Sequence, residues 1–299
     1  MEQFVPAGIL AHATVESPAF AALAGREDPP LLPLAALVAE GLATVDIALL
    51  ERHVDFLAYL VQRAAGEAEH PQDRLAALAR VLADEEGFRG LPGEDFDDAA
   101  GSYLNRVFEA RHGLPITLAV LYLAVGERLG WPLVGVDFPL RFLVRYRYGQ
   151  ELLVIDPFDG GRLLTMDDCA RLLRPGMERV PEAHLRHLVR LHLESLAEPR
   201  RVAVRMLKNL ESCFVRAQDY DGARNTIGKL LLLHPDAVGE LRDLGEVYHL
   251  LGEHAQALDC LREYLAQAPR AADRVLVQQF MHHIETMLAA GEEGPGGGG

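Results

Sequence analysis

The residues able to do covalent or acid–base chemistry in this chain are few and scattered. Three cysteines stand at Cys169, Cys213 and Cys260, with no CxxC pair and no spacing that demands a disulfide. Thr117 is the only hydroxyl near the start of a long apolar segment, and His112 lies five residues before it. A threonine hydroxyl attacks an acyl group only when a base within hydrogen-bond reach takes its proton, so this pair would have to converge to act. His112 also has an ordinary explanation, a side chain closing a helix C-terminus, and that reading is the favoured one. His184 and His187 have the i, i+3 spacing that could share a metal, with His192 close behind, but no cysteine or carboxylate pair completes a zinc set. His282-His283 is a weaker candidate still. Glu94, Asp95, Asp97 and Asp98 form an acidic cluster without the alternating ligands and fixed glycine of a calcium loop, so a solvated loop is the better reading. No phosphate-cradling loop and no dinucleotide-binding glycine pattern occurs. Neither a metal nor a cofactor is expected.

The elements that would position these groups follow from periodicity. Apolar residues recur at helical spacing from Leu34 to Ala65, for example Val45, Leu49, Val54, Leu57 and Val61, and again from Asp73 to Glu86 through Leu75, Leu78, Val81 and Leu82. Glycines and Pro92 break the pattern over Gly87–Asp98, which reads as a loop. Helix returns from Ala99 to Arg111, Gly113 stops it, and Pro115 suits the first turn of another. That next helix, Ile116 to Leu129, is apolar nearly all round and so belongs inside a domain. After Gly130-Trp131-Pro132 come three short strands, Leu133–Phe138, Arg141–Tyr148 and Glu151–Ile155, and a further helix is expected from about Met166. A buried helix followed by an antiparallel meander indicates an α+β domain. Between Gly113 and Asp156 there is no cysteine, histidine or serine.

The C-terminal part repeats. Leu210, Phe214, Ala223, Ile227 and Pro235 recur 34 positions later as Leu244, Tyr248, Ala257, Leu261 and Pro269. The period, the small residue where paired helices touch and the terminating proline are the tetratricopeptide signature. A lone helix over Asp273–Leu288 reads as a cap, with a glycine-rich tail after it. The first helices of such repeats line a groove, and Arg205, Lys208, Asn209 and Arg242 lie on or near them, which suits an acidic peptide or a C-terminal carboxylate. The competing reading is that these four are ordinary solvated side chains.

Composition bounds the partners. The 299 residues carry 29 basic and 44 acidic side chains, a net charge of −15. Such a surface repels phosphate backbones and anionic lipid, so neither nucleic acid nor membrane is an expected partner. Three unpaired cysteines point to a reducing compartment, and the N-terminus lacks a basic start and an apolar core. A cytoplasmic protein is expected.

Glu85-Glu86-Gly87-Phe88-Arg89-Gly90, Ser102-Tyr103-Leu104-Asn105, Arg111-His112-Gly113-Leu114-Pro115-Ile116, Asp137-Phe138-Pro139 and Asp156-Pro157-Phe158-Asp159-Gly160 occur in that order. Together they resemble the bacterial SirB-type proteins, over roughly residues 30–290. The resemblance implies a transglutaminase-like, papain-type domain of helix plus antiparallel sheet, followed by an all-α tetratricopeptide helical hairpin module. With the residue patterns, the chain divides into an N-terminal arm (1–30), the transglutaminase-like domain that the resemblance implies (31–199), two repeats with a capping helix (200–289) and the tail (290–299). In active cores of this type a cysteine at a helix N-terminus, a histidine and an aspartate act in chain order; the helix dipole and the histidine favour the thiolate. The family pattern laid on this chain puts Pro115 at the nucleophile position, Arg141 at the histidine position and Asp156 at the aspartate position. Proline has no nucleophile, and arginine, with a pKa of roughly 12 or more, is no general base at neutral pH. Asp156 could pair with Arg141 where a His–Asp pair would stand, or simply open a turn at Pro157; the two are compatible, and the turn is weighted higher. The expected function is a noncatalytic binding or regulatory protein that takes a protein or peptide partner in its repeat groove. The alternative is a thiol-protease-fold hydrolase or acyltransferase with relocated residues, Thr117 with His112.

Overall fold

The computed structural model describes residues 17–92, 99–149, 151–175 and 177–292. The acidic cluster at 94–98, the start of the arm and the last residues of the tail lie outside them. The described residues form two compact units, one within residues 26–209 and one of residues 17–25 with 210–292. A short helix, α1 (Pro18–Ala24), belongs to the second unit.

The first unit opens with α2 (Leu31–Leu37) and α3 (Ile47–Ala65), where one helical stretch is expected from the apolar spacing. The first ends at Leu37 with Val38 as its C-cap, Gly41 follows in the turn at φ 80°, and the carboxylate of Asp46 starts the second by accepting from the Leu49 amide at 2.9 Å. Leu50, Val54, Leu57, Ala58 and Val61 form the buried stripe of α3. Next comes α4 (Pro71–Ala79), which runs on as a π-helical segment over Arg80–Glu85. The short strand β1 (Arg89–Gly90) pairs in parallel with β2 (His112–Gly113). Between them, a 3₁₀ turn at Ala99–Ser102 and α5 (Leu104–Ala110) replace the single helix expected from Ala99 to Arg111. Extended backbone at Tyr103 separates the two.

Helix α6 (Pro115–Arg128) is buried without a break from Ile116 to Gly126, as its composition requires. It leads to β3 (Leu133–Phe138), β4 (Arg141–Tyr148) and β5 (Glu151–Asp156), then β6 (Arg162–Leu164), α7 (Met166–Leu173), α8 (Glu182–Glu194) and β7 (Leu196–Ala197). The strands form one antiparallel sheet in the order β6-β5-β4-β3-β7. Its register sets Phe138 opposite Arg141, Val144 opposite Ile155 and Asp156 opposite Arg162. Val136, Phe138, Leu143, Val154 and Leu164 pack with Cys169, Ala170 and Leu173 of α7 and with Leu185, Val189 and Leu193 of α8. Burial of such an aliphatic side chain contributes about 1.5–3 kcal/mol. Helix α6 approaches β3 closely enough that a Cβ on Gly126 would stand 2.4 Å from Leu133.

The boundary between the units falls within α9 (Pro199–Ala217). The second unit continues through α10 (Tyr220–Leu233), α11 (Gly239–Leu250), α12 (His254–Gln267) and α13 (Arg274–Glu292). Repeat packing is tight: a Cβ on Gly245 of α11 would lie 2.8 Å from Leu261 and 3.2 Å from the Ala257 carbonyl of α12. α1 packs against α10, with the Lys229 amine 5.5 Å from the centre of the buried Phe20 ring. No helix among the described residues is long and apolar enough to cross a membrane.

Candidate functional site

The region where a transglutaminase-like core would do chemistry is built on the N-terminus of α6 and the ends of β4 and β5. Pro115 is the first residue of α6, where its missing amide N–H costs no intrahelical bond. Two residues on, the Thr117 side chain is fully buried and its hydroxyl donates to the Gly101 carbonyl at 2.9 Å. The Leu114 amide donates to the same carbonyl at 3.2 Å. The 3₁₀ turn therefore covers the first turn of α6. His112 directs Nδ1 at the Ala110 carbonyl, 2.9 Å away, so its ring is tied to the end of α5. Thr117 and His112, the residues of the alternative enzyme reading, thus make separate bonds to separate carbonyls.

Arg141 and Asp156 do meet. The Arg141 Nε lies 3.5 Å from Asp156 Oδ2, with the arginine side chain 27% exposed and the aspartate 2%. The guanidinium also sits over the Phe158 ring, 4.5 Å from its centre. Asp156 Oδ1 accepts from the Phe158 amide at 2.9 Å and caps the 3₁₀ turn Pro157–Asp159. The ion-pair role and the turn role are both occupied, by different oxygens of one carboxylate. Burial pushes the Asp156 carboxyl above its ordinary range; the Arg141 charge and the amides of Phe158 and Asp159 pull it back only in part.

Several neighbours of this pair carry no signal in the sequence. The Tyr122 hydroxyl is buried without a hydrogen-bond partner, and burial first, then the charges of Asp84 and Asp156, raises its pKa. A Cβ on Gly161, at φ 74°, would stand 2.9 Å from that hydroxyl and 2.7 Å from Ala79. Gly90 accepts the Phe158 ring in the same way, since a Cβ there would fall 2.6 Å from it. Away from the pair, in the 3₁₀ turn before α5, the Ser102 hydroxyl is also buried and unpartnered. Tyr122 reads in sequence as one more apolar-face residue of α6, and nothing short of the packing distinguishes it.

The remaining candidates are dispersed. All three cysteines are free and buried. Burial pushes the Cys169 thiol up to about 11 and the Cys260 thiol up to about 12, away from the reactive thiolate. On α8, His192 packs edge-on to Phe138 at 5.6 Å. His187 lines an open recess of about 390 Å³ with Met166, Ala183, Arg186 and Arg190. Of the four groove residues, Arg242 is already committed: it lies 2.7 Å from Asp243 and 2.6 Å from Asp273, which also accepts from the Tyr264 hydroxyl at 2.6 Å. The Asp273 and Asp243 carboxylates hold its pKa above the ordinary arginine value. Arg205 is half exposed, 4.0 Å from Asp137, and Lys208 also has a partner. Lys208 and Asn209 are half-buried.

A family model described as the transglutaminase-like superfamily matches residues 49–226, and one for the tetratricopeptide repeat matches residues 210–282. The chain is 38% identical over 198 residues to a UPF0162 protein of Xylella fastidiosa, covering 66% of this chain and 68% of the relative. It is 29% identical over 221 residues to a UPF0162 protein of Vibrio cholerae, covering 73% and 78%. It is also 30% identical over 240 residues to the F-box only protein 21 of Homo sapiens, covering 73% of this chain and 36% of that one.

Proposed function

The chain belongs to the transglutaminase-like superfamily and carries a tetratricopeptide module, and from that premise we propose that it is a noncatalytic binding or regulatory protein. The observation that carries this reading is the Arg141–Asp156 ion pair, set where a catalytic histidine and its orienting aspartate would stand. A guanidinium there holds β4 to the end of β5 and removes no proton. Pro115 leaves the helix N-terminus without a nucleophile, and the Thr117 hydroxyl two residues on is spent on a backbone carbonyl. The alternative enzyme reading needs a nucleophile and a base in contact, and Thr117 and His112 make different bonds. The fold is then kept as a scaffold, in line with the rule that function lives in sites and not in folds.

Within this proposal the repeats supply the contact with a protein or peptide partner, the chain works in the cytoplasm, and it falls among the SirB-type proteins whose motifs it resembles. Arg205, Lys208 and Asn209 lie at the end of the first unit, so of the four side chains Arg242 is the one on the repeat unit itself. Arg242 would serve only if the partner's carboxylate displaced Asp243 or Asp273.

The test is an activity survey with a built-in control. The intact chain, Thr117→Val and Arg141→Ala are assayed side by side for ester hydrolysis and for amine transfer to glutamine peptides. The expected result is one background rate shared by all three. Turnover by the intact chain that Thr117→Val abolishes, in a variant that still folds, overturns the proposal and restores the enzyme reading.

A further inference from the structure

Three histidines that the sequence separates come together in the repeat unit. His249 stands near the C-terminal end of α11, His254 opens α12, and His283 lies on α13. The rings of His249 and His254 are 5.0 Å apart at an angle of 40°, and those of His249 and His283 are 6.5 Å apart. The Phe280 ring meets that of His249 edge to face, with centres 5.0 Å apart. The Nδ1 atoms of both His249 and His254 are buried and have no hydrogen-bond partner. Glu253, between them in the chain, is taken by Arg224 at 2.8 Å. A buried imidazole nitrogen normally finds a donor or an acceptor, so two unpartnered ones side by side require an explanation. Burial, and then the charges His254 and His283 would carry, lower the pKa of His249, which keeps its ring in the neutral form that a metal ion binds.

We propose that His249, His254 and His283 form a binding site for a divalent transition-metal ion of the borderline class, Zn²⁺ above all, with the remaining coordination positions open to water. Imidazoles bound to zinc at ~2.0–2.1 Å and near-tetrahedral angles hold their ring centres about 5 Å apart, which is the separation of His249 and His254. The third ring, 6.5 Å from that of His249, stands outside ligation distance in this structure; His283 is exposed, and the proposal includes a change of its rotamer toward the ion. The carboxylate group of Glu211, Glu240 and Asp243 in the same unit is a different matter. An all-oxygen set of that kind suits calcium or magnesium better than zinc, and Glu211 and Glu240 already have partners. The zinc site does not depend on whether the transglutaminase-like domain is catalytic.

The experiment is calorimetric titration of the full chain with zinc chloride at pH 7.5, repeated with cobalt(II) for its visible absorption. One saturating equivalent is expected, with His254→Ala and His283→Ala each weakening it by at least roughly tenfold, the loss typical even of disturbing an outer-shell partner. His187→Ala and Asp243→Asn are expected to leave it unchanged. His283→Ala is the decisive variant, because an exposed side chain can be removed without unfolding the unit. Its melting temperature without metal should match that of the parent chain. Absence of saturable binding, binding undiminished in His283→Ala, or binding lost instead in His187→Ala or Asp243→Asn each overturns the site.

Discussion

Arg141 and Asp156 carry opposite charges in a place where one of them has little water to fall back on. With Asp156 2% exposed, its carboxylate relies on one guanidinium and the amides of the turn it caps. Arg141→Ala leaves that carboxylate buried and unpaired, a change that costs about 3–5 kcal/mol in a fully enclosed pair; with Arg141 itself 27% exposed, about 1–3 kcal/mol is expected. The pH dependence has a definite sign. The folded-state pKa of Asp156 lies above its unfolded value, so the folded form binds the extra proton and its ionisation weakens the fold as pH rises. The deficit of Arg141→Ala is therefore largest at neutral pH and shrinks as pH falls toward the ordinary carboxylate range. Urea unfolding at pH 7.5 and pH 5 measures this, and Arg141→Ala with Asp156→Asn should recover most of the loss. A second prediction refills the empty roles. Pro115→Cys with Arg141→His puts a thiol at the helix N-terminus and an imidazole beside Asp156, so the introduced thiol should react with iodoacetamide at pH 7 faster than the three buried ones. Equal reactivity with and without the Arg141→His change would show that position 141 does not face position 115.

At the scale of elements, the turn after β5 is held by the hydrogen bonds of the Phe158 and Gly161 amides to Asp156 and by close approach. Gly160 and Gly161 both have positive φ, and Gly161 fits against Ala79, where α4 passes into the π-helical segment, and against the Tyr122 hydroxyl of α6. A π-helical turn widens the helix locally and often accompanies a special site. Gly161→Ala meets two penalties at once: a left-handed backbone conformation that alanine resists, and contacts at 2.7 and 2.9 Å. A loss of about 2 kcal/mol or more is expected in urea unfolding. Gly66→Ala provides the control: at φ 56° with nothing within 4 Å, it carries the backbone penalty alone and should cost less. Near-equal losses would show that the contacts with Ala79 and Tyr122 relax freely.

For the whole molecule, chain order and spatial grouping part company at the N-terminus. Residues 17–25 group with the repeats and not with the domain they precede. The seam is the fully buried Phe20 of α1, under the equally buried Lys229 of α10. Phe20→Ala should therefore lower the stability of the repeat unit by about 3–5 kcal/mol, the usual cost of emptying an aromatic site in a core. Thermal melting followed by helical circular dichroism tests this, and an unchanged midpoint would place Phe20 outside the repeat core.

Sequence alone determined what depends on periodicity. The all-round apolar character of residues 116–125 marks a buried helix, the alternation after Trp131 gives three adjoining strands, and the 34-residue recurrence gives the repeat, since each reflects which faces must leave water. Elements of two or three residues such as β6 and β7 have no period to read, and a π-helical turn keeps nearly the same apolar spacing as an α-helix. Those became visible only in three dimensions. Asp156 could be read in advance as a turn former and as a partner of Arg141, but strand register and burial decided that it is both. Thr117 shows the opposite limit: its type and position allowed a nucleophile, and only the Gly101 carbonyl, sixteen residues upstream, assigns its hydroxyl to structure. His249, His254 and His283 share no motif, because the packing of three successive helices brings together what local spacing cannot encode.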